Sequence, residues 1–108
     1  MAHYDLNKIR EAAKQQRIEY RGGRRGNVYK TITNYGYTLT DVIDCITSLS
    51  SSNFLTTYEY PDQTIDDGYL TKHICEELGV EDEIFMKLRL LDNGNIDVEI
   101  GTFHFPKR

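Results

Sequence analysis

The chain has 108 residues, of which 39% are hydrophobic and 28% are charged, and its formal net charge is −4. This composition fits one folded domain over residues 1–108 and is too apolar for a disordered chain. No apolar run approaches the roughly 18 residues of a membrane helix. The N-terminal residues also lack the apolar core of a signal peptide, so we expect a cytoplasmic protein with no membrane partner.

Charge is divided unevenly along the chain. Residues 1–30 contain eight Lys and Arg against three Asp and Glu, whereas the remaining residues contain five against fourteen. A basic segment attracts phosphate backbones or an acidic partner, and an acidic body repels phosphates. Two solvated faces that partly neutralise each other would give the same counts, so the asymmetry alone leaves nucleic-acid binding open.

The chain has two cysteines, Cys45 and Cys75. Two cysteines are too few for a disulfide scaffold, although a single bridge between them stays open. Neither the cysteines nor the histidines show the spacing of a zinc site. We therefore expect two reduced thiols and no structural metal.

Helices are predicted in the first half of the chain. Asp5 is a suitable cap for a helix from residue 6 to about residue 16, where apolar residues recur at helical spacing. Residues 21–26 contain three glycines and three arginines, which predicts a flexible basic loop. A short helical turn is expected at residues 28–34. Residues 40–49 predict a further helix, with Thr40 as its cap and one apolar face.

Strands are predicted in the second half. Residues 54–60 are aromatic and β-branched and predict a strand. Residues 64–75 are ambiguous and are interpreted as another strand followed by a turn. Residues 76–83 are acidic and predict an exposed connection.

The clearest local signal is a C-terminal hairpin at residues 83–105. A three-residue loop at 92–94 sets apolar residues opposite apolar residues and pairs Lys87 with Glu99. Together these elements predict an α+β fold. Two or three N-terminal helices pack on one face of a small antiparallel β-sheet.

Several short strings occur in an order and at spacings that match one known family. They are residues 3–9, Tyr35-Gly36-Tyr37, residues 46–54, residues 62–65 with Tyr69, and residues 85–88. In these strings the chain resembles the MqsR family of toxin–antitoxin toxins, which have a RelE-like fold and cleave messenger RNA without a metal. The resemblance implies RNA or ribosome-bound mRNA as substrate, a cognate antitoxin as protein partner and no cofactor. A homodimer stays open.

The chain differs from that family at the positions of the family's catalytic side chains. The family's catalytic lysine and tyrosine match Thr56 and Phe85, and its C-terminal lysine matches His104. Its catalytic glutamine falls near Asp66 and Asp67. A cleavage site in this chain would therefore use a different set of groups.

Metal-free RNA cleavage needs a base, a cation beside the phosphate and an acid. We predict His104 as base or acid, because histidine exchanges protons readily near neutral pH. Lys87 is predicted to supply the cation from the same polar face of the sheet, and Tyr69 to supply a proton. Structural roles compete with these predictions, since His104 also suits a strand surface and Lys87 also suits pairing with Glu99.

Two groups of residues are predicted to contact RNA. Arg21, Arg24 and Arg25 would hold phosphates from their loop, and Tyr58 and Tyr60 would stack on bases. Three functions are compatible with the sequence. They are a ribonuclease toxin, a non-catalytic binding protein such as a phage or plasmid inhibitor acting through its acidic surface, and a regulatory subunit that binds RNA without cleaving it.

Overall fold

A computed structural model describes residues 1–107 as an α+β fold. The helices are α1 (Leu6–Lys14), α2 (Asn27–Asn34) and α3 (Leu39–Thr47). The strands are β1 (Ile18–Tyr20), β2 (Phe54–Glu59), β3 (Ile65–Cys75), β4 (Val80–Asp92) and β5 (Ile96–His104). Within residues 1–107, no helix has the length and apolar character needed to cross a membrane.

The five strands form one sheet in the order β1-β5-β4-β3-β2. Strands β2 to β5 are antiparallel to their neighbours, as the sequence predicts, whereas β1 pairs in parallel with β5 and makes the sheet mixed. Strand β1 was not predicted, because three residues are too few to show the two-residue alternation of a strand. The β1 backbone pairs with the backbone of β5, and this pairing makes β1 an edge strand of the sheet.

The three helices pack on one face of the sheet, which confirms the expected architecture. Ile9, Ile32 and Ile46, one from each helix, are buried in the same core as Met86 and Leu88 of β4. Alternate side chains of each strand point to the opposite face, which we call the open face. Its residues include Tyr58, Asp66, Gly68, Leu70, Phe85, Lys87, Arg89, Glu99, Gly101 and His104.

Helix α1 begins where the sequence predicts and ends two residues earlier. The Asp5 carboxylate accepts a hydrogen bond from the Asn7 N–H at 2.8 Å, which caps the first turn. Gln16 has a φ of 60°, in the left-handed region, so the backbone turns away from the helix there.

The cap of α3 differs from the prediction. Thr38 caps the helix, and the Asp41 carboxylate accepts a hydrogen bond from the Thr38 N–H in return. Thr40 lies inside the first turn. Both threonines precede an apolar face, and only Thr38 has an acidic residue three positions later to complete this reciprocal cap.

The C-terminal hairpin forms, but its predicted register is wrong by two residues. Arg89, rather than Lys87, lies opposite Glu99, and Lys87 lies opposite Thr102. The loop therefore comprises residues 93–95. A shift of two residues keeps every side chain on its own face, so alternation alone does not distinguish the two registers.

The predicted exposed connection at residues 76–83 is shorter than expected, because β4 already begins at Val80. Asp82 is buried, and its carboxylate accepts a hydrogen bond from the Tyr37 hydroxyl at 2.6 Å. Cys45 and Cys75 are also buried and are free thiols, as expected. Burial raises the pKa of the Cys45 thiol.

Candidate nucleic-acid interface

The centre of the open face combines a lysine with two tyrosines. The Lys87 Nζ atom lies 4.1 Å from the ring centroid of Tyr58 and 6.0 Å from that of Tyr60. These distances are within the range of cation–π attraction. Two tyrosines predicted to contact RNA and one predicted catalytic residue are therefore brought together.

Strand β3 lies between the strand that carries Tyr58 and the strand that carries Lys87. Gly68 of β3 allows the contact between them, because it has no side chain in the way. A Cβ atom at Gly68 would lie 2.8 Å from Cε2 of Tyr58 and 3.4 Å from Cε1 of Phe85. The Tyr58 ring thus lies across the backbone of β3. Phe85 meets that ring edge-on, with ring centroids 6.4 Å apart and an interplanar angle of 77°. The result is an aromatic surface beside one ammonium group.

A buried carboxylate organises the neighbouring part of the open face. Asp66 is 0% exposed and accepts hydrogen bonds from Arg21 at 2.8 and 3.0 Å, Arg89 at 2.9 Å and the Tyr60 hydroxyl at 2.9 Å. Burial raises the pKa of Asp66, but hydrogen bonds from Arg21 and Tyr60 outweigh burial and hold this pKa below its ordinary value. No sequence pattern indicates this network, because Asp66 lies in an acidic stretch that is typical of a surface.

Arg21 does not belong to a flexible loop, as was expected, but is fixed to the sheet. Its Nε atom donates to Glu99 at 2.9 Å while its two Nη atoms donate to Asp66. A Cβ atom at Gly101 would lie 2.5 Å from the Arg21 Cζ atom, so the missing side chain makes room for the guanidinium. Most of the Arg21 charge is thereby neutralised within the chain.

Arg24 and Arg25 lie apart from the open face. They belong to a 3-10 turn at Gly23–Arg25, and both are exposed. The Arg24 guanidinium lies 5.6 Å from the ring centroid of Tyr29, at a groove on the helix side of the sheet. The three arginines predicted to hold phosphates therefore do not converge on one site.

His104 and Lys87 share the open face, as predicted. His104 is exposed at the end of β5, where its backbone lies opposite Phe85. The Lys87 side chain extends towards β2, on the far side of β4 from His104. The Lys87 side chain therefore extends away from His104.

Tyr69 does not join His104 and Lys87, contrary to expectation. It lies on the helix-covered face, is 0% exposed and packs edge-on against Phe54 at 5.8 Å between ring centroids. Burial and the nearby Asp67 raise the pKa of its hydroxyl to about 12. A phenol in the core cannot reach RNA on the open face, so the proposed site omits Tyr69.

A cleft of about 410 Å³ adjoins this network and is lined by Arg21, Tyr60, Pro61, Asp62, Thr64 and Arg89. Among residues 1–107, no group of three or more His, Cys, Asp or Glu side chains is arranged to hold a metal ion. The groups around the Tyr58 ring on this face are therefore aromatic rings and the Lys87 ammonium group, with His104 at the end of β5.

No family model matches the sequence, and no curated protein and no solved structure is significantly similar to it. The resemblance to the MqsR toxins therefore stays a prediction from the sequence. The fold and the geometry of the open face carry the functional argument.

Proposed function

We propose that the protein binds single-stranded RNA on the open face of its sheet. The observation that carries this proposal is the Lys87 ammonium group beside the rings of Tyr58 and Tyr60. Among residues 1–107 Lys87 forms no salt bridge, so its charge is available to a phosphate. Sheets that bind single strands combine a cation for the backbone with aromatic rings for the bases.

A single strand suits this face better than a duplex. The side chains at this place are half-buried aromatic rings in the surface of the sheet, namely Tyr58, Tyr60 and Phe85. They do not form a helix or ribbon that could enter the groove of a duplex. Bases of a duplex are stacked on each other and are not accessible to such rings, whereas unpaired bases are.

The acidity of the chain does not oppose binding at this place. Arg21 and Arg89 form ion pairs with the carboxylates of Asp66 and Glu99, which lie on the same face of the sheet as Lys87. Lys87 then adds a positive charge at the centre of the open face. Like-charge repulsion from distant carboxylates is screened beyond about 10 Å at 0.1 M salt.

Fluorescence anisotropy with a labelled single-stranded RNA tests the proposal. We expect Tyr58→Ala to weaken binding roughly tenfold, in the range found when a stacking aromatic is removed. Lys87→Gln should also weaken binding, while Lys8→Gln on the exposed side of α1 serves as the matched control. Absence of binding by the natural protein, or equal affinity of Lys87→Gln and the control, would contradict the proposal.

Cleavage of the bound RNA is a second candidate function, and the position of His104 favours it. This histidine is exposed on the open face, and its backbone lies opposite Phe85, two residues before Lys87 along β4. The histidine would remove the proton of a 2′-hydroxyl, whose oxygen attacks the phosphate beside the ammonium group. The departing 5′-oxygen would take its proton from water, because Tyr69 is buried in the core. A toxin of the cytoplasm, with an antitoxin as its partner, is the role that such cleavage would serve.

Product mapping separates binding from cleavage. If His104 acts in proton transfer, the natural protein produces 2′,3′-cyclic phosphate ends and His104→Ala does not, although both bind RNA equally. Growth arrest on induction, lost in His104→Ala, would support the toxin role. Bound but intact RNA, together with normal growth, would leave an RNA-binding protein without catalytic activity.

A further inference from the structure

Two grooves of opposite charge meet on the helix side of the sheet. The basic groove is lined by Tyr20, Arg24, Tyr29, Thr38 and Leu39. The acidic groove is lined by Thr38, Asp41, Asp44, His73, Glu76 and Glu77. Because Thr38 lines both grooves, positive and negative groups occupy neighbouring parts of one continuous surface.

The charged groups at the two ends of this surface are not paired with each other. Arg24 contacts a tyrosine ring, and Arg25 precedes α2 in an exposed turn. Asp44, Glu76 and Glu77 are exposed, and none of these five side chains forms a salt bridge within residues 1–107. Each end therefore has charge available to a partner.

Exposed apolar side chains lie along the same surface. Leu39, at the start of α3, is 45% exposed and lines the basic groove. Leu78, at 43% exposure, lies over Gly36 in the connection between α2 and α3. Apolar groups rimmed by charge are typical of protein interfaces.

We propose that this surface binds a second copy of the chain in a twofold-symmetric dimer. A twofold axis in the plane of the interface, midway between the grooves, places the basic groove of one protomer against the acidic groove of its partner. The same contact then occurs twice, as symmetry requires. Arg24 and Arg25 would meet Asp44 and Glu77 of the second copy.

A second copy of the chain supplies opposite charges to the basic groove and to the acidic groove in the same interface. A purely basic partner would leave Arg24 and Arg25 facing like charge, and a purely acidic partner would do the same to Asp44 and Glu77. Like charges placed together at an interface are strongly unfavourable. The dimer also leaves the open face of each protomer uncovered, because that face is on the other side of the sheet.

Sedimentation equilibrium of the natural protein is the first test. We expect reversible dimers at low salt that dissociate in 1 M salt, where the screening length falls to about 3 Å. A monomer at every concentration in low salt would overturn the proposal.

Charge reversal identifies the surface. The double variant Arg24→Glu with Arg25→Glu makes both grooves acidic, and Asp44→Lys with Glu77→Lys replaces two of the four carboxylates of the acidic groove by ammonium groups. Each variant alone should dimerise at least roughly tenfold more weakly than the natural chain. An equimolar mixture of the two variants should form a heterodimer, and the chain carrying all four substitutions should regain the homodimer.

A matched control changes the same number of charges elsewhere. Lys8→Glu with Lys14→Glu alters exposed residues of α1 and should leave the dimer intact. Circular dichroism of each variant establishes that it is folded. Dimerisation of either groove variant with the natural affinity, or failure of the folded variants to pair when mixed, would overturn the proposal.

Discussion

The Asp66 carboxylate lies buried in β3 and accepts hydrogen bonds from three separate parts of the chain. Arg21 follows β1, Arg89 belongs to β4, and Tyr60 follows β2. Asp66 thus holds the residues that follow both edge strands, β1 and β2. Removing one partner of a buried ion pair costs more than the pair itself contributes, because the remaining charge stays buried.

Asp66→Asn should lower the free energy of unfolding by about 3 kcal/mol at neutral pH. This value is at the lower end of the range for breaking a buried ion pair, because the Arg21 side chain is one-third exposed. Urea denaturation measures the change. Asp62→Asn is the control, since the Asp62 carboxylate is exposed and accepts hydrogen bonds from Thr64, two residues further along the chain. Equal effects of the two substitutions would contradict the role given to Asp66.

The same carboxylate predicts how stability depends on pH. Its pKa is lower in the folded chain than the roughly 3.9 of an unfolded aspartate, so the unfolded chain binds the proton more readily. The stabilisation is complete above about pH 5 and is lost as the pH falls through 4 and below. We expect the stability difference between the natural chain and Asp66→Asn to shrink over that range in urea denaturation.

Gly68→Ala should destabilise the fold by about 1–3 kcal/mol through overpacking against Tyr58. The Cβ would displace the Tyr58 ring from β3 and with it the contact to Lys87. A second substitution, Tyr58→Ala, removes the clash, so the two changes together should cost less than their sum in a double-mutant cycle measured by urea denaturation. Strict additivity would show that the ring does not depend on the glycine.

At the scale of elements, the end of α1 contains an unfavourable residue. Gln16 is in the left-handed conformation, which is strained for a side chain and unstrained for glycine. Gln16→Gly should therefore stabilise the protein by about 0.5–1 kcal/mol, measured as a higher midpoint of thermal or urea unfolding. Gln15→Gly, one position earlier with a φ of −84°, should destabilise it instead. A loss of stability in both variants would contradict the argument.

The elements differ in how well the sequence predicts them. Helix spacing and an N-terminal cap are local properties, so α1, α2 and α3 were predicted within a few residues. The register of the hairpin depends on a bulge between Lys87 and Leu88 and on pairing with β3, which are not local. The burial of Asp66 and Asp82 depends on partners about 45 residues away, Arg21 and Tyr37, and no local pattern indicates it.

At the scale of the whole molecule, the sheet separates two kinds of surface. Arg24 lines a groove on the helix side, and Arg25 is exposed in the same turn, although the sequence predicts both with Arg21 in one RNA-binding loop. The basic N-terminal segment is therefore not a single surface. Part of its charge is used inside the fold, where Arg21 holds Asp66 and Glu99, and part faces away from the aromatic rings.

This separation predicts the salt dependence of RNA binding. For single strands, the logarithm of affinity falls with the logarithm of salt concentration by about 0.7 per neutralised phosphate. Lys87→Gln should reduce that slope by about 0.7, because it removes one phosphate contact on the open face. Arg24→Gln with Arg25→Gln removes two positive charges from the Gly23–Arg25 turn and should leave the slope unchanged, as measured by fluorescence anisotropy across a salt series. A smaller slope in the double variant and an unchanged slope in Lys87→Gln would place the RNA on the helix side instead.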